Sequence, residues 1–311
     1  MAAEESVEKK KRGPGRPPNI SITPNFKKDG ISSTPKIKEN VLEFIYEKPI
    51  VFKLLFSYFK ASKASEIKMR FTPTEVTLFT MDHLSATRIA AYLHGEGVNW
   101  YHCASEFWVT VNLEIFEKMC SSIDKNISEI KIFNKLNLAQ PNGPREIVFV
   151  LVNPSIQNDE MYEINMAEIK IDPNIASLEA DIDPKTLDTN FPLSFSLPSK
   201  NFKTIINNIS KFSEVFQIEY RHKSPLCLKY NKSNISYHSV FKVSEKINLK
   251  VLGESNITAD LSIDVVRPTS NSGLSDAISI YCKQNGSILL RSNIDGDNVV
   301  VNSFITTRAA T

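Results

Sequence analysis

The chain has 311 residues, of which 41% are hydrophobic and 23% are charged, and its formal net charge is +2. This length allows two domains with sizeable cores, and the composition is typical of globular proteins. The longest apolar runs, 147–152 and the interrupted 50–56, are too short to cross a bilayer, and the N-terminus lacks the apolar stretch of a secretory signal. We therefore expect an intracellular protein that does not associate with membranes.

Residues 1–40 hold nine Lys and Arg, five Asp and Glu, and five of the sixteen prolines, without apolar periodicity. This composition predicts a disordered basic tail. Its Gly15-Arg16-Pro17 resembles the core of an AT-hook, which lays arginine in the minor groove of A·T-rich DNA. A hook usually has arginine where Pro14 stands, so a nuclear-import signal and a generic basic arm are equal alternatives. The tail residues that we expect to contact DNA phosphates are Lys10, Lys11, Arg12 and Arg16.

Four segments predict helices, because their apolar side chains recur on one face. The first follows Pro49, a favoured first-turn residue, and extends to about Lys63. The second opens at Asn112, a favoured N-cap, and the third follows Pro198-Ser199. The fourth is weak, since Pro268 interrupts it. We expect the helices at 49–63, 112–124, 199–213 and about 263–274.

Alternating or β-branched runs between the helices predict short strands, and Asn285-Gly286 and Asp295-Gly296 predict hairpin turns. The expected strands are 42–46, 67–71, 75–79, 146–152, 163–171, 216–220, 235–243, 278–281, 287–291 and 299–305. The first two helices begin 63 residues apart, as do the last two, and the two pairs repeat at an offset of about 149. This duplication predicts an α+β fold made of two similar domains of antiparallel sheet with helices on one face.

We predict a tail at 1–40, an N-terminal domain at 41–171, a connecting segment at 172–191 and a C-terminal domain at 192–311. The connecting segment has five acidic residues and isolated apolar ones. These features are typical of an extended linker.

No pattern in the sequence indicates a catalytic, metal or cofactor site. None of the ten glycines precedes Lys-Ser/Thr in P-loop spacing. His102-Cys103 is better explained as part of a strand than as half of a metal site, and Asp295-x-Asp297 as a hairpin turn. The four cysteines lack CxxC spacing, so we expect reduced thiols. We predict that the protein is not an enzyme.

The third helix carries a basic stripe opposite its apolar face, made of Lys200, Lys203 and Lys211, and the range 198–213 contains no acid. The first helix likewise has Lys53, Lys60 and Lys63, with no acid before Glu66. A solvated helix face normally mixes both signs of charge, so these stripes indicate either an anion-binding surface or an ordinary soluble one.

A run of short motifs carries a family resemblance. Residues 78–119 contain a strand ending in Met81-Asp82, a strand with Tyr101-His102-Cys103, and Val111-Asn112-Leu113 opening a helix. With Leu197-Pro198-Ser199-x-x-Phe202 in the second half, this order resembles the DNA sliding clamps of the proliferating-cell-nuclear-antigen family over residues 41–308. The likeness is strongest to the divergent clamps of large eukaryotic DNA viruses such as asfarviruses.

The resemblance implies a DNA-clamp fold whose three copies close into a ring around double-stranded DNA, with the helices lining the channel. The function implied is that of a DNA polymerase processivity factor, acting in the host nucleus or at a cytoplasmic site of viral replication. Strand edges near 163–171 and 235–243 would meet between copies. The implied phosphate contacts on the helices are Lys53, Lys60, Lys63, Lys118, Lys200, Lys203, Lys211 and Arg267.

The resemblance also implies a groove beside the connecting segment, where DNA polymerase and other replication and repair proteins insert a short aromatic-bearing peptide. The side chains implied to line it are Met81, Leu178, Ile182, Phe304 and Ile305. Two residues at this groove depart from the family pattern. Arg88 stands at a position that is usually apolar in the family, and Ser303-Phe304 stands where the family usually has Ala-Pro. We expect a client peptide that differs from the usual one.

Two alternatives to the closed ring are an open or dimeric clamp-like factor and an architectural protein whose basic tail alone binds DNA. A trimer in solution would favour the closed ring, and loss of all DNA binding on deletion of residues 1–40 would favour the architectural protein.

Overall fold

A computed structural model describes residues 40–82, 86–135, 146–155, 160–165, 190–232, 235–241, 248–252, 256–284, 286–296 and 298–306. All of them belong to one unit, Glu39–Thr311. The predicted tail lies outside these ranges except for Asn40, and so does the predicted connecting segment except for Asn190 and Phe191. None of the helices in the described part is long and apolar enough to cross a membrane.

The described residues of the first half form nine strands and two helices, with a short 3-10 turn at Gly95–Gly97. In order they are β1 Asn40–Tyr46, α1 Pro49–Ala61, β2 Glu66–Phe71, β3 Glu75–Met81, β4 Thr87–His94, β5 Trp100–Cys103, β6 Phe107–Asn112, α2 Leu113–Ser121, β7 Glu129–Lys135, β8 Glu146–Val152 and β9 Glu160–Asn165.

The second half repeats this order of strands and helices. Its elements are β10 Leu193–Pro198, α3 Ser199–Ile209, β11 Val215–Tyr220, β12 Leu226–Lys232, β13 Ile235–Phe241, β14 Lys250–Val251, β15 Ile257–Ser262, α4 Ile263–Asn271, β16 Ala277–Cys282, β17 Ile288–Ile294 and β18 Val299–Ile305.

The strand pairing repeats as well. Strand β1 pairs with β5 and β7, and its counterpart β10 pairs with β14 and β16. Likewise β2 pairs with β3 and β6, and β11 pairs with β12 and β15. Helix α3 begins 150 residues after α1, at Ser199 against Pro49. The predicted α+β duplication is therefore confirmed, with antiparallel pairing between the strands.

The described strands form three sheets, and the largest joins the two halves. Their strand orders are β5-β1-β7-β8-β9, β13-β12-β11-β15 and β14-β10-β16-β17-β18-β4-β3-β2-β6. In the nine-stranded sheet, β18 of the second half pairs with β4 of the first half, from Val299↔Leu93 to Ile305↔Thr87. We call this ladder the inter-half joint. Strands β9 and β13 are edge strands of the two smaller sheets.

Each half has its own core, because alternate strand residues face the helices. In the first core Phe56 of α1 lies 4.3 Å from Phe116 of α2, ring centre to ring centre. In the second core Phe202 and Ile206 of α3 are buried against strand residues such as Phe216. The two cores support the predicted pair of domains, whose boundaries stay predictions.

The structure confirms the predicted starts of two helices and one predicted hairpin turn. Pro49 begins α1, and the Asn112 Oδ1 accepts a hydrogen bond of 3.2 Å from the Ile115 N–H at the start of α2. Asp295 and Gly296 both have positive φ, 55° and 65°, as a tight hairpin turn requires.

Other predicted elements differ from the structure in extent or number. Helix α4 ends at Asn271 rather than near 274, and β9 is described only to Asn165. Seven strands did not stand out in the sequence: β4, β6, β7, β10, β12, β14 and β15.

One buried tyrosine ties the two halves together on the helix side. The Tyr58 hydroxyl of α1 hydrogen-bonds with Thr269 Oγ1 of α4 at 3.1 Å and with Ser303 Oγ of β18. All three side chains are less than 5% exposed. Burial raises the pKa of Tyr58, although hydrogen bonds with the hydroxyls of Ser303, Thr269 and Ser62 oppose this shift. The hydroxyl therefore links α1, α4 and the inter-half joint.

Replacing Tyr58 by phenylalanine should lower the free energy of unfolding by about 1–2 kcal/mol, because two buried hydroxyls lose their shared partner. Urea denaturation followed by circular dichroism measures this change. The control is Tyr237→Phe, whose hydroxyl makes no hydrogen bond with the described residues. Equal stability of both variants would show that the Tyr58 hydroxyl does not hold the halves together.

Candidate nucleic-acid interface

The four helices form a row in which the neighbours are α2–α1, α1–α4 and α4–α3. We call this the helix row. Each helix buries one face in a core and exposes the opposite face. Helices α2 and α3 stand at the two ends of the row, and the middle contact, α1–α4, crosses between the halves.

Lys53 of α1 has a structural partner. Its ammonium donates hydrogen bonds to the carbonyl oxygens of Ser121, at 3.2 Å, and Ile123, at 2.7 Å. The last carbonyls of a helix lack partners within the helix, and a cation beside them is favourable. Lys53 therefore holds α1 against the C-terminal end of α2, and its charge is already engaged.

Two more of the predicted phosphate contacts are paired with acids. The Lys60 ammonium lies 2.8 Å from the Glu117 carboxylate, and Lys118 lies 2.7 Å from Glu114 one turn earlier. The hydrogen bond from Lys118 lowers the pKa of Glu114 and raises that of Lys118. Lys63 is exposed in the turn after α1, where it has a positive φ of 59°. Of the four predicted phosphate contacts in the first half, Lys53, Lys60 and Lys118 are thus already engaged within the protein, and Lys63 is exposed.

Helix α3 differs from the other helices in its charge. Its buried face consists of Phe202, Ile205, Ile206 and Ile209. Lys200 and Lys203 are exposed on the other side, and Lys211 is exposed just beyond the helix. Within the described part of the chain, none of these three lysines makes an ion pair or hydrogen bond through its ammonium. The exposed Arg267 of α4 lies 3.5 Å from Asp264. Positive charge on the helix row is therefore concentrated on α3.

The face of the nine-stranded sheet that points away from the helices carries a third apolar cluster. We call it the outer cluster, and Met81, Trp108 and Tyr281 pack at its margin. Its buried members are Phe79, Ala90, Tyr92, Phe191, Leu289 and Phe304.

Of the predicted groove residues, the structure brings Met81 and Phe304 together in the outer cluster. Ile305 points the other way, because adjacent strand residues face opposite sides of a sheet, and it is buried in the core of the second half. Ile305 is therefore not part of the outer cluster, and its place in the predicted groove stays a prediction. Leu178, Ile182 and the tail residues Lys10, Lys11, Arg12 and Arg16 lie outside the described residues.

Two cations cover rings of the outer cluster. The Arg88 guanidinium lies 4.4 Å from the centre of the Phe304 ring, and the Lys283 ammonium lies 5.1 Å from it. Lys283 also lies 5.2 Å from the Phe191 ring centre. Sequence reasoning singled out Arg88 but missed Lys283 and Phe191, whose neighbourhood depends on pairing between distant strands.

The remaining candidate side chains have structural roles. Cys103 is buried in β5, and its Sγ lies 3.1 Å from the Ser105 carbonyl oxygen. Burial raises the Asp295 pKa, but hydrogen bonds from Lys48, Tyr46 and Asn298 outweigh this effect and lower it. Over the described ranges, no three His, Cys, Asp or Glu side chains converge as metal ligands.

Comparison with known proteins gave relatives from one virus. The chain is 33% identical over 302 residues to an uncharacterized protein of African swine fever virus from a Kenyan pig isolate. The matched residues cover 95% of this chain and 98% of the relative. The counterpart from the Vero-adapted Badajoz strain is 34% identical over 289 residues, covering 92% and 94%. No protein-family model matches the chain.

Among solved structures, the chain resembles the proliferating cellular nuclear antigen of Entamoeba histolytica. The TM-score is 0.66 with 11% sequence identity, over 87% of this chain and 100% of the other. The fold and the viral relatives together confirm the resemblance that the motifs indicated. This chain belongs to the same family as these African swine fever virus proteins and has the DNA-clamp fold of the proliferating cell nuclear antigen.

Proposed function

We propose that copies of this chain close into a ring around duplex DNA and act as a sliding clamp. In this role the protein is a processivity factor that holds DNA polymerase and other replication and repair proteins on DNA, without catalysing a reaction itself. The observation that carries the proposal is the repeated architecture, in which the two halves meet at one joint and expose matching edges elsewhere.

The inter-half joint defines how one half follows another. It pairs the last strand of the second half, β18, with the third strand after the first helix of the first half, β4. The equivalent strands for a second such joint are β9 and β13, which are edge strands among the described sheets. Pairing β9 of one copy with β13 of the next would repeat the internal joint between molecules. Such head-to-tail pairing closes into a ring when its rotation allows.

The helix row supports the same repetition. Within the chain, α4 of the second half meets α1 of the first half. The equivalent contact between copies joins α2 of one copy to α3 of the next. Exposed apolar side chains stand at these ends: Ile115 of α2 is 66% exposed, Phe212 after α3 is 48% exposed, and Val240 of β13 is 55% exposed. A joint there would cover them.

Three copies would complete the ring, as the family resemblance implies, and the helix row would then face the channel. Lysines of α3 would touch phosphates loosely, and such contacts position DNA without reading its sequence. Since the relatives are viral, we expect this activity in the host nucleus or at the cytoplasmic site of viral DNA replication.

The wild-type protein should have about three times the chain mass of 35.1 kDa at micromolar concentration. Val240→Asp should raise the dissociation constant of the assembly at least about tenfold, because it places an unpaired carboxylate at the strand joint. Light scattering after size-exclusion chromatography, run over a range of protein concentrations, measures the mass of the wild-type protein and of the variant.

The matched control for Val240→Asp is Ile50→Asp, since Ile50 is 52% exposed on α1, in the middle of the helix row. This variant should keep the wild-type mass. A wild-type protein that stays monomeric at about 10 μM would contradict the ring.

Neutralising two lysines of α3, by Lys200→Gln with Lys203→Gln, should shorten retention on nicked circular DNA about tenfold. The loss of two phosphate contacts per copy should also reduce the salt dependence of binding. Linearising the DNA should release the wild-type ring, because a ring slides off a free end.

The control for the α3 variant removes the same number of charges, by Lys60→Gln with Lys118→Gln. Both of these lysines already pair with acids, so retention should change by less than about threefold. Both double variants should keep the trimer mass. If deletion of residues 1–39 abolished all DNA binding, the tail rather than the ring would bind DNA.

A further inference from the structure

A polar cleft of about 390 Å³ lies at the end of strand β17, apart from the helix row and the outer cluster. It is lined by the turn after α4, residues 273–277, by Ser279 of β16, and by residues 291 and 293–296 of β17 and its turn. Sites for small ligands have volumes of about 300–1,000 Å³. The cleft is therefore large enough for a small polar molecule.

Buried side chains and hydrogen bonds hold the walls of this cleft in place. Leu274 of one wall and Ile294 of the other are both buried in the core of the first half. At the start of α3, the Ser199 hydroxyl donates to the Ser275 carbonyl oxygen at 2.6 Å, and its N–H donates to the Asp276 carbonyl oxygen at 2.8 Å. A pre-formed cleft of this kind loses little conformational entropy when a ligand binds.

Arg291 supplies the positive charge of the cleft. Its Nε–H donates a hydrogen bond of 3.0 Å to Asn302 Oδ1 on the neighbouring strand β18. Asn302 is 1% exposed, and its Nδ2 has no hydrogen-bond partner among the described residues. The other N–H groups of the Arg291 guanidinium make no hydrogen bond or ion pair in the described part of the chain. A buried amide thus orients the guanidinium, whose remaining donors are open to a ligand.

Asp276 supplies the negative charge, on the wall formed by the turn after α4. It is exposed, and its carboxylate makes no ion pair with Arg291 or with any other described residue. Asp295 differs, because its carboxylate pairs with Lys48 and accepts a hydrogen bond of 3.1 Å from the Tyr46 hydroxyl. Among the described lining residues, the cleft therefore holds one cation and one anion that do not meet each other.

Two separated opposite charges favour a ligand that carries the same two charges reversed. A simple anion would bind Arg291 but would also lie in the cleft with the Asp276 carboxylate, and a simple cation would share it with the guanidinium. A zwitterion instead makes charge-assisted hydrogen bonds to both side chains at once. Duplex DNA has a negative charge at every nucleotide, so its backbone does not match a cleft with balanced charges.

We propose that this cleft binds a small zwitterion, whose carboxylate pairs with Arg291 and whose ammonium pairs with Asp276. The ligand class is an amino acid in which a short chain separates the two charged groups. This inference goes beyond the proposed sliding clamp and does not depend on it, because the described lining residues all belong to one chain and include none of the proposed phosphate contacts or groove residues. A bound ligand would join β17 to the turn that holds the start of α3.

A series of ω-amino acids tests the separation of the two charges: glycine, β-alanine, 4-aminobutyrate and 6-aminohexanoate. In isothermal titration calorimetry with the full-length wild-type protein, at least one of them should bind with a dissociation constant below about 1 mM. It should bind at least about tenfold more tightly than an alkylamine and a carboxylate of the same length, because each of these lacks one of the two charges.

Replacing Asp276 by lysine should reverse this selection. The cleft of Asp276→Lys would hold two cations, so the dicarboxylate succinate should bind at least about tenfold more tightly than the best ω-amino acid. In Arg291→Gln, binding of the best ω-amino acid should weaken at least about tenfold. The matched controls are Asp260→Lys and Arg221→Gln, which change the same charges on exposed residues outside the cleft, and both should keep the wild-type selection.

Thermal melting shows whether each variant is folded. If Arg291→Gln unfolds, the exposed Asp276→Lys carries the test alone. Three results would overturn the proposal: no binding of any ω-amino acid at about 10 mM, equal binding of the single-charge analogues, or an unchanged selection in Asp276→Lys. Ring formation is measured separately by mass and by retention on circular DNA, so a failed ring and a failed zwitterion site give different results.

Discussion

The ladder between β18 and β4 is the constraint on which the rest of the architecture depends. It fuses a strand group from each half into one nine-stranded sheet, and so it fixes how the two cores sit side by side. An edge strand exposes unpaired N–H and C=O groups that favour pairing with another strand. The same geometry that satisfies β4 and β18 leaves β9 and β13 as edges in the described sheets, and the assembly we propose satisfies them in the same way.

The helix row follows from this ladder, because α1 and α4 come together where the halves join and Tyr58 bonds across them. Charges are distributed unequally along the row. In the first half, lysines are used to cap α2 or to pair with its glutamates, which stabilises the packing of α1 on α2. Helix α3 has no such role for its lysines within the described part of the chain, so it presents the strongest positive surface.

Local rules predicted the helices, the Asn112 cap and the Asp295-Gly296 turn, since each depends on residues close in sequence. Strand β4 did not stand out because Ala90 and Ala91 weaken its β-branched pattern. Strand β15 was missed although its buried and exposed residues alternate, because its polar positions include Asp260, a residue type depleted in strands. The engaged state of Lys53 and Lys60 was invisible in sequence, since their partners lie 57 to 70 residues away. Of the two neighbouring groove residues predicted near the C-terminus, Phe304 joins the outer cluster, whereas Ile305 faces the opposite side of the sheet.

The two open edges are unlike each other, since β9 belongs to the first half and β13 to the second. In the proposed ring, copies joined through these edges would all point the same way, so the ring would have a front and a back that differ chemically. A partner held on one copy would meet the DNA with a defined orientation relative to its strands. Polarity of this kind would let a closed ring distinguish the growing end of a DNA primer from the duplex behind it.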